Sequence, residues 1–187
     1  MTRLASAPGY AWCSGEVTVV IFDFDQILVD MRPIARLRSA RNWTAVMAQA
    51  YRLNAYNGIN DLLSKLHKRG QTLAIVTNAP DMVPKVFIKR YKWPIEIVVG
   101  FHSVTRCEPD PEGLMLAMAI ADAHPEDTFN IGAYRENIMA SRSANVSAIG
   151  CTWGLTDVRS LQSSNPDHLF GTVDELRSFL LPRKSRS

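Results

Sequence analysis

The 187-residue chain has few cysteines, little net charge and no long apolar run. Its cysteines, Cys13, Cys107 and Cys151, lie far apart without metal-ligand spacing, which predicts free thiols in a reducing cytoplasm. A net charge of +3 does not favour nucleic acid as a partner. No apolar run approaches the roughly 18 residues of a membrane span, and we expect no signal peptide at the N-terminus. The composition therefore favours an ordinary globular domain that does not enter a membrane.

Short apolar segments alternate with amphipathic helical patterns along most of the chain. Helical spacing begins at Ile59, Leu114 and Val173, where apolar residues recur three and four positions apart. The apolar segments predict buried strands at 17–22, 73–76, 95–99, 128–132 and 147–153. This alternation predicts an α/β fold with a doubly wound parallel sheet, in which ligands bind beyond the carboxyl ends of the strands.

The alternation of apolar segments and helical patterns is interrupted after the first strand. We therefore divide the chain into predicted parts. We expect an N-terminal arm at 1–15, an α/β domain at 16–182 and a basic tail at 183–187. Within the domain, residues 31–57 form a small helical insert, predicted as one helix from about Pro33, over the carboxyl edge of the sheet. The insert carries four arginines, which are either a solvated helix face or an anion-binding group: Arg32, Arg36, Arg38 and Arg41.

Polar residues follow the predicted strands in a fixed order. The first strand ends in "FDFDQ", with Asp23 and Asp25, and the second ends in "LAIVTN", with Thr77 and Asn78. "EPDPEGL" begins at Glu108, and "NIGAYREN" and "IGCTWG" follow. An Asp-x-Asp pair after an apolar strand, followed by a helical insert and these later segments, resembles the haloacid dehalogenase (HAD) superfamily. Most of its members are phosphatases.

The resemblance implies a HAD-like fold and a role for each matching residue. Asp23 would be the nucleophile that forms an aspartyl phosphate, and Asp25 would be the general acid and base. Thr77 and Asn78 would bind the phosphate group. Asp23 and Asp25 would also hold Mg²⁺, which lets two anions approach each other.

The chain departs from the family pattern at positions that carry charge. Glu108 stands where the family has lysine, and Ala133 and Asn137 stand where it has metal-binding acids. Gln26 replaces a glycine in a tight loop that is expected to face the phosphate. The site therefore keeps its attacking acids but loses positive charge, unless Glu136 or Glu108 reaches a metal or the insert arginines compensate.

These departures lead to two alternative functions. In the first, the protein is a phosphatase homologue with weak or no activity that acts by binding a phosphorylated ligand or a protein partner. In the second, it is an active Mg²⁺-dependent phosphoester hydrolase that uses Asp23 and Asp25. The cofactor is Mg²⁺ in the active case and none otherwise. A second subunit that completes the lid, giving a homo-oligomer, stays open.

Overall fold

Six parallel strands form the sheet of the computed structural model, which describes residues 18–155 and 157–182. The strands are β1 Val19–Phe22, β2 Thr72–Val76, β3 Ile97–Val99, β4 Thr128–Gly132, β5 Ser147–Cys151 and β6 His168–Phe170. Their order across the sheet is β3-β2-β1-β4-β5-β6. The chain order reverses direction between β1 and β4, and ligands bind at such a switch point. The predicted doubly wound parallel sheet is confirmed.

Helices cover both faces of this sheet. Those of the described residues are α1 Ala35–Ser39, α2 Trp43–Gln49, α3 Ile59–Lys68, α4 Met82–Tyr91, α5 Glu112–Ala121, α6 Arg135–Ser143, α7 Arg159–Ser163 and α8 Val173–Leu180. Val20 and Phe22 of β1 join the apolar cluster under α3, α4 and α8, whereas Val19 and Ile21 join the cluster under α5 and α6. A strand covered on both faces needs apolar side chains throughout, as in β1. None of the described helices is long and apolar enough to cross a bilayer.

The sequence predicts five of the strands near their observed places and misses β6. The prediction at 128–132 agrees with β4, whereas the prediction at 95–99 begins before β3 and that at 147–153 continues beyond β5. β6 is short and partly exposed, so it lacks the continuous apolar run that marks the other strands. The predicted arm (1–15), tail (183–187) and first position of the first strand lie outside the described residues and stay predictions.

The insert after β1 is helical, but the prediction of one helix from Pro33 is wrong. α1 and α2 are separated at Arg41, which has a φ of 51°, and a residue in this left-handed region ends a helix. Asn42 then caps α2 by accepting a hydrogen bond from the Ala45 N–H at 3.1 Å. The chain therefore turns sharply in the middle of the insert.

Apolar contacts and one arginine anchor the insert to the domain. Val46, Ala50 and Leu53 are buried in the same apolar cluster as α3 and α4. Arg90 of α4 donates a hydrogen bond to the Leu53 carbonyl oxygen at 2.8 Å. The insert is therefore packed against the domain beside the carboxyl edge of the sheet.

Gly132, the last residue of β4, provides the space for the buried Asn137 side chain. A Cβ atom on Gly132 would lie 2.5 Å from both Cγ and Oδ1 of Asn137. We expect Gly132→Ala to lower the free energy of unfolding by about 1–3 kcal/mol, because the buried side chain must move. Urea denaturation measures this change. Gly171→Ala is the control, because the nearest described heavy atom to its Cβ would be Glu175 Oε2 at 3.4 Å; equal losses in both variants would contradict the packing argument.

Candidate active site

The polar ends of neighbouring strands meet at one edge of the sheet. β1 pairs in parallel with both β2 and β4, so the residues that follow these three strands lie side by side. They face a cavity of about 240 Å³. The described residues that line it are four acids, one arginine and four neutral polar residues: Asp23, Asp25, Glu108, Glu136, Arg38, Thr77, Asn78, Tyr134 and Asn137. The structure thus brings both predicted catalytic aspartates and both predicted phosphate-binding residues into one cavity.

Asp23, directly after β1, is a buried carboxyl group. Asp23 is only 6% exposed to solvent, and its Oδ1 atom accepts a hydrogen bond from the Phe24 N–H at 2.7 Å. Burial raises the pKa of Asp23 to about 7, although the Phe24 N–H, the charge of Arg38 and the Asn137 side chain each lower it. The environment therefore disfavours the charged form that nucleophilic attack requires.

Glu108 is a second acid held close to Asp23. The Asn78 side chain fixes its main chain: Oδ1 accepts from the Glu108 N–H at 3.2 Å, and Nδ2 donates to the Glu108 carbonyl oxygen at 3.3 Å. Burial and the charge of Asp23 raise the pKa of Glu108 to about 8. The position that the resemblance assigns to a lysine is therefore occupied by an acid directed into the cavity.

Asn78 and Thr77 differ in the hydrogen-bonding groups that remain available to a ligand. The Asn78 amide already makes the two hydrogen bonds to Glu108, so it acts on the cavity by positioning that residue. The Thr77 hydroxyl oxygen accepts a hydrogen bond from the Ala79 N–H at 3.3 Å. Its hydroxyl proton is then a donor for a ligand oxygen, because a hydroxyl group both accepts and donates.

The residues at the two expected metal positions do not fit Mg²⁺. Ala133 is buried and has no side-chain oxygen. Asn137 uses its Oδ1 atom to accept from the Tyr134 N–H at 2.8 Å and turns its Nδ2 atom to Glu108 Oε2 at 2.9 Å. Among the described residues, no three His, Cys, Asp or Glu side chains group closely enough to hold a metal ion. Since Mg²⁺ needs oxygen ligands, an N–H donor here opposes its binding.

Of the four insert arginines, Arg38 alone is among the described residues that line the cavity. Arg38 forms an ion pair with Asp25, and its guanidinium carbon lies 4.9 Å from the centre of the Trp43 ring. The other three lie elsewhere: Arg32 pairs with Asp30 at 2.6 Å, Arg41 lies over the Phe101 ring at 5.4 Å, and Arg36 is exposed. The predicted anion-binding group is therefore reduced to one side chain.

Gln26 does not crowd the cavity, contrary to the expectation from its size. Its Oε1 atom accepts a hydrogen bond from the Tyr56 hydroxyl at 2.8 Å, and Gln26 is not among the described residues that line the cavity. Gln26 has a φ of 63°, and a Cβ on the facing Gly154 would lie 2.7 Å from the Gln26 Cβ. The loop after β1 thus tolerates the glutamine by turning it away.

Sequence reasoning missed Tyr134 as a cavity residue. Tyr134 lies in the loop after β4, is 40% exposed and contributes a phenol to the cavity wall. Burial of the phenol group and the nearby charge of Asp23 raise its pKa to about 12, so it is a neutral hydroxyl donor at ordinary pH. The available signal was its position between the substituted residues Ala133 and Asn137.

The raised pKa of Glu108 predicts how the free energy of unfolding depends on pH. Its pKa is about 8 in the folded protein and near the ordinary 4.5 when unfolded, so the folded state keeps a proton that the unfolded state releases. Stability is therefore lost as pH rises from about 5 to 8. We expect Glu108→Gln to unfold less readily than wild type at pH 8, by about 1 kcal/mol or more, and to lose part of this pH dependence. Urea denaturation across this range measures both effects. The control is Glu126→Gln at an exposed position, and identical pH profiles for wild type and Glu108→Gln would contradict the assignment.

Similar proteins include curated phosphatases and solved structures of the same fold. A probable phosphoglycolate phosphatase of Pseudomonas putida is 29% identical over 140 residues, covering 71% of this chain and 53% of that protein. Phosphoglycolate phosphatase 1 of Pseudomonas aeruginosa is 28% identical over 131 residues, covering 67% of this chain and 46% of that protein. The chain thus spans about half the length of the curated relatives that it matches.

A putative phosphoglycolate phosphatase from Lactobacillus delbrueckii subsp. bulgaricus superposes with a TM-score of 0.74 at 19% identity, covering 89% of this chain and 99% of that one. A putative β-phosphoglucomutase from Thermotoga maritima gives 0.73 at 17% identity, covering 87% and 98%. At these identities the two structures show a shared fold. A family model described as haloacid dehalogenase-like hydrolase matches residues 34–151, more than half of the chain. The chain therefore belongs to the haloacid dehalogenase-like hydrolase family.

Proposed function

We propose that this chain binds the phosphate group of a ligand and hydrolyses phosphoesters weakly or not at all. The observation that carries the proposal is the position of Glu108, an acid beside Asp23 where the resemblance implies a lysine. The altered residues Ala133 and Asn137 support the same conclusion. The chain has the fold of a phosphatase family, but the charges of the residues around Asp23 differ from those that the resemblance implies.

Charge repulsion is the physical reason for weak hydrolysis. Attack by Asp23 brings a carboxylate against a phosphate dianion, and Arg38 is the one cation among the described residues that line the cavity. Two like charges about 4 Å apart repel by about 4 kcal/mol at an effective dielectric constant of about 20. This energy corresponds to roughly a thousandfold in rate or affinity for each uncompensated pair.

Binding a phosphate group requires hydrogen-bond donors in the cavity but not the attack by Asp23 that hydrolysis requires. The Arg38 guanidinium matches the geometry of phosphate oxygens, and Thr77, whose hydroxyl group keeps a proton to donate, lines the same cavity. We place a phosphorylated small molecule first, because curated relatives are named for phosphoglycolate. A phosphorylated protein partner is the other source of the same chemistry. We also propose a cytoplasmic location, which the free thiols of Cys107 and Cys151 support.

A second candidate, an active hydrolase, is favoured by the intact nucleophile position. Asp23 follows β1, and the Phe24 N–H holds one of its oxygens at 2.7 Å. In this alternative Asp23 attacks phosphorus, Asp25 serves as acid and base, and Arg38 supplies the positive charge. The two candidates differ in whether turnover depends on Asp23.

Hydrolysis of 4-nitrophenyl phosphate, with Mg²⁺, with Mn²⁺ and with a chelator, separates the two candidates. We expect the wild-type rate to equal that of Asp23→Asn within about twofold under all three conditions, because repulsion of about 4 kcal/mol per charge pair suppresses attack. We expect the double variant Glu108→Lys with Ala133→Asp to exceed wild type at least about tenfold with Mg²⁺, because it restores one cation and one metal ligand.

The same double change in the Asp23→Asn background is the control and must give no gain. Wild-type turnover that disappears in Asp23→Asn would establish the active hydrolase instead. Calorimetric titration with inorganic phosphate tests binding independently of turnover. Absence of binding to wild type and to Asp25→Asn, in which a nearby negative charge is removed, would overturn the proposed function.

A further inference from the structure

The ion pair between Asp25 and Arg38 joins the insert to the carboxyl edge of the sheet. Asp25 lies in the loop after β1, and Arg38 lies near the end of α1. Only 16% of the Asp25 side chain and 15% of the Arg38 side chain are exposed, although both line the cavity. The one cation among the described cavity residues is therefore already bound to a carboxylate of the protein.

The turn between α1 and α2 supports this arrangement of Arg38. Because α1 ends at Ser39 and α2 begins at Trp43 after the turn at Arg41, the indole ring lies against the Arg38 guanidinium at 4.9 Å. A cation on an aromatic face is stabilised electrostatically, and the contact limits the directions that the long side chain can take. Arg38 is thus held by Asp25 on the domain and by Trp43 within the insert.

The pair also leaves hydrogen-bonding capacity unused. Within the described part of the chain, the buried atoms Asp25 Oδ1 and Arg38 Nε have no hydrogen-bond partner. A buried polar atom without a partner costs free energy. Two phosphate oxygens that accept from Nε and from a terminal nitrogen would satisfy the guanidinium more fully than its ion pair with Asp25 does.

We propose that Asp25 is a specificity-determining residue that competes with the ligand for Arg38, so that a phosphate group must displace it to bind. The inference rests on the proposed function and deepens it. Asp25 is an intramolecular carboxylate, which acts at a high effective concentration. A carboxylate ligand has the same charge and the same acceptor oxygens as the Asp25 side chain, so it cannot displace Asp25 from Arg38. A phosphate dianion carries twice the charge and three acceptor oxygens. The cavity therefore selects phosphate dianions over carboxylates.

The insert supplies a matched control for this pair. Arg32 and Asp30 form an ion pair of the same chemistry in the same segment, with Nη2 and Oδ2 2.6 Å apart. That pair is more exposed, at 48% and 30%, and neither residue is among the described residues of the cavity. Asp30→Asn removes one negative charge near the insert without freeing Arg38.

Calorimetric titration with inorganic phosphate and with acetate measures the competition in a double-mutant cycle. We expect Asp25→Asn to bind phosphate at least about tenfold more tightly than wild type, and to bind acetate measurably, because Arg38 becomes available. In the Arg38→Met background the same Asp25→Asn change only removes charge repulsion, so we expect a clearly smaller gain in phosphate affinity than with Arg38 present. Asp30→Asn should bind as wild type does. A gain from Asp25→Asn that is as large without Arg38 would reduce the effect to simple charge removal and overturn the competition.

Hydrogen exchange of the α2 amides tests the ion pair without any ligand. We expect Asp25→Asn and Arg38→Met to speed this exchange at least about tenfold, because the insert loses its polar contact with the loop after β1, while Asp30→Asn leaves it unchanged. Unchanged exchange in both cavity variants would contradict the role of the pair in holding the insert.

The two proposals fail in different ways. Wild-type phosphate binding with no gain in Asp25→Asn overturns the competition and leaves the proposed function standing. No binding by any variant overturns the proposed function and the selection of phosphate, and the exchange rates then report only whether the ion pair holds the insert against the loop after β1.

Discussion

The hydrogen bond from Asn137 to Glu108 holds a second acid beside Asp23, and the chemistry of the cavity depends on it. Asn137 is fixed at its other end by the Tyr134 N–H, so its amide cannot turn an oxygen to the cavity without losing that bond. Glu108 is fixed by Asn78 through its main chain. Residues after β2 and after β4 thus both hold Glu108 in place. The groups of this part of the cavity form hydrogen bonds with one another and offer neither the lysine nor the metal-binding acids that the resemblance implies.

The apolar packing of the fold and the charge of the site depend on different residues in this molecule. The sheet is held by apolar side chains on both faces of its central strands, such as Val20 and Ile21, and none of these contacts depends on the cavity residues. The cavity residues lie beyond the strand ends, where they contribute little to the core. Exchanges at Glu108 and Ala133 therefore leave the fold of the family intact while they change what the site can do.

The insert supplies the one cation among the described residues that line the cavity. It is much shorter than a lid that would enclose a small molecule, and its two helices each have fewer than eight residues. Arg38 nevertheless reaches the cavity, because Arg41 and Asn42 turn the chain and bring Trp43 against it. The proposed ligand contact and the observed contacts of the insert therefore share one side chain, Arg38.

The sequence alone determined the fold class and the position of the candidate site. Short, β-branched, continuous apolar segments favour buried strands, and residues that follow such strands, such as Asp23 and Thr77, meet at one edge of a parallel sheet. The sequence could not find β6, whose side chains are partly exposed, or the break at Arg41, because left-handed backbone at an arginine has no compositional signal. Four insert arginines looked equivalent in the sequence. Only the tertiary structure selected Arg38, turned Gln26 to Tyr56, and directed the donor end of Asn137 to Glu108, because side-chain direction depends on neighbours distant in the chain.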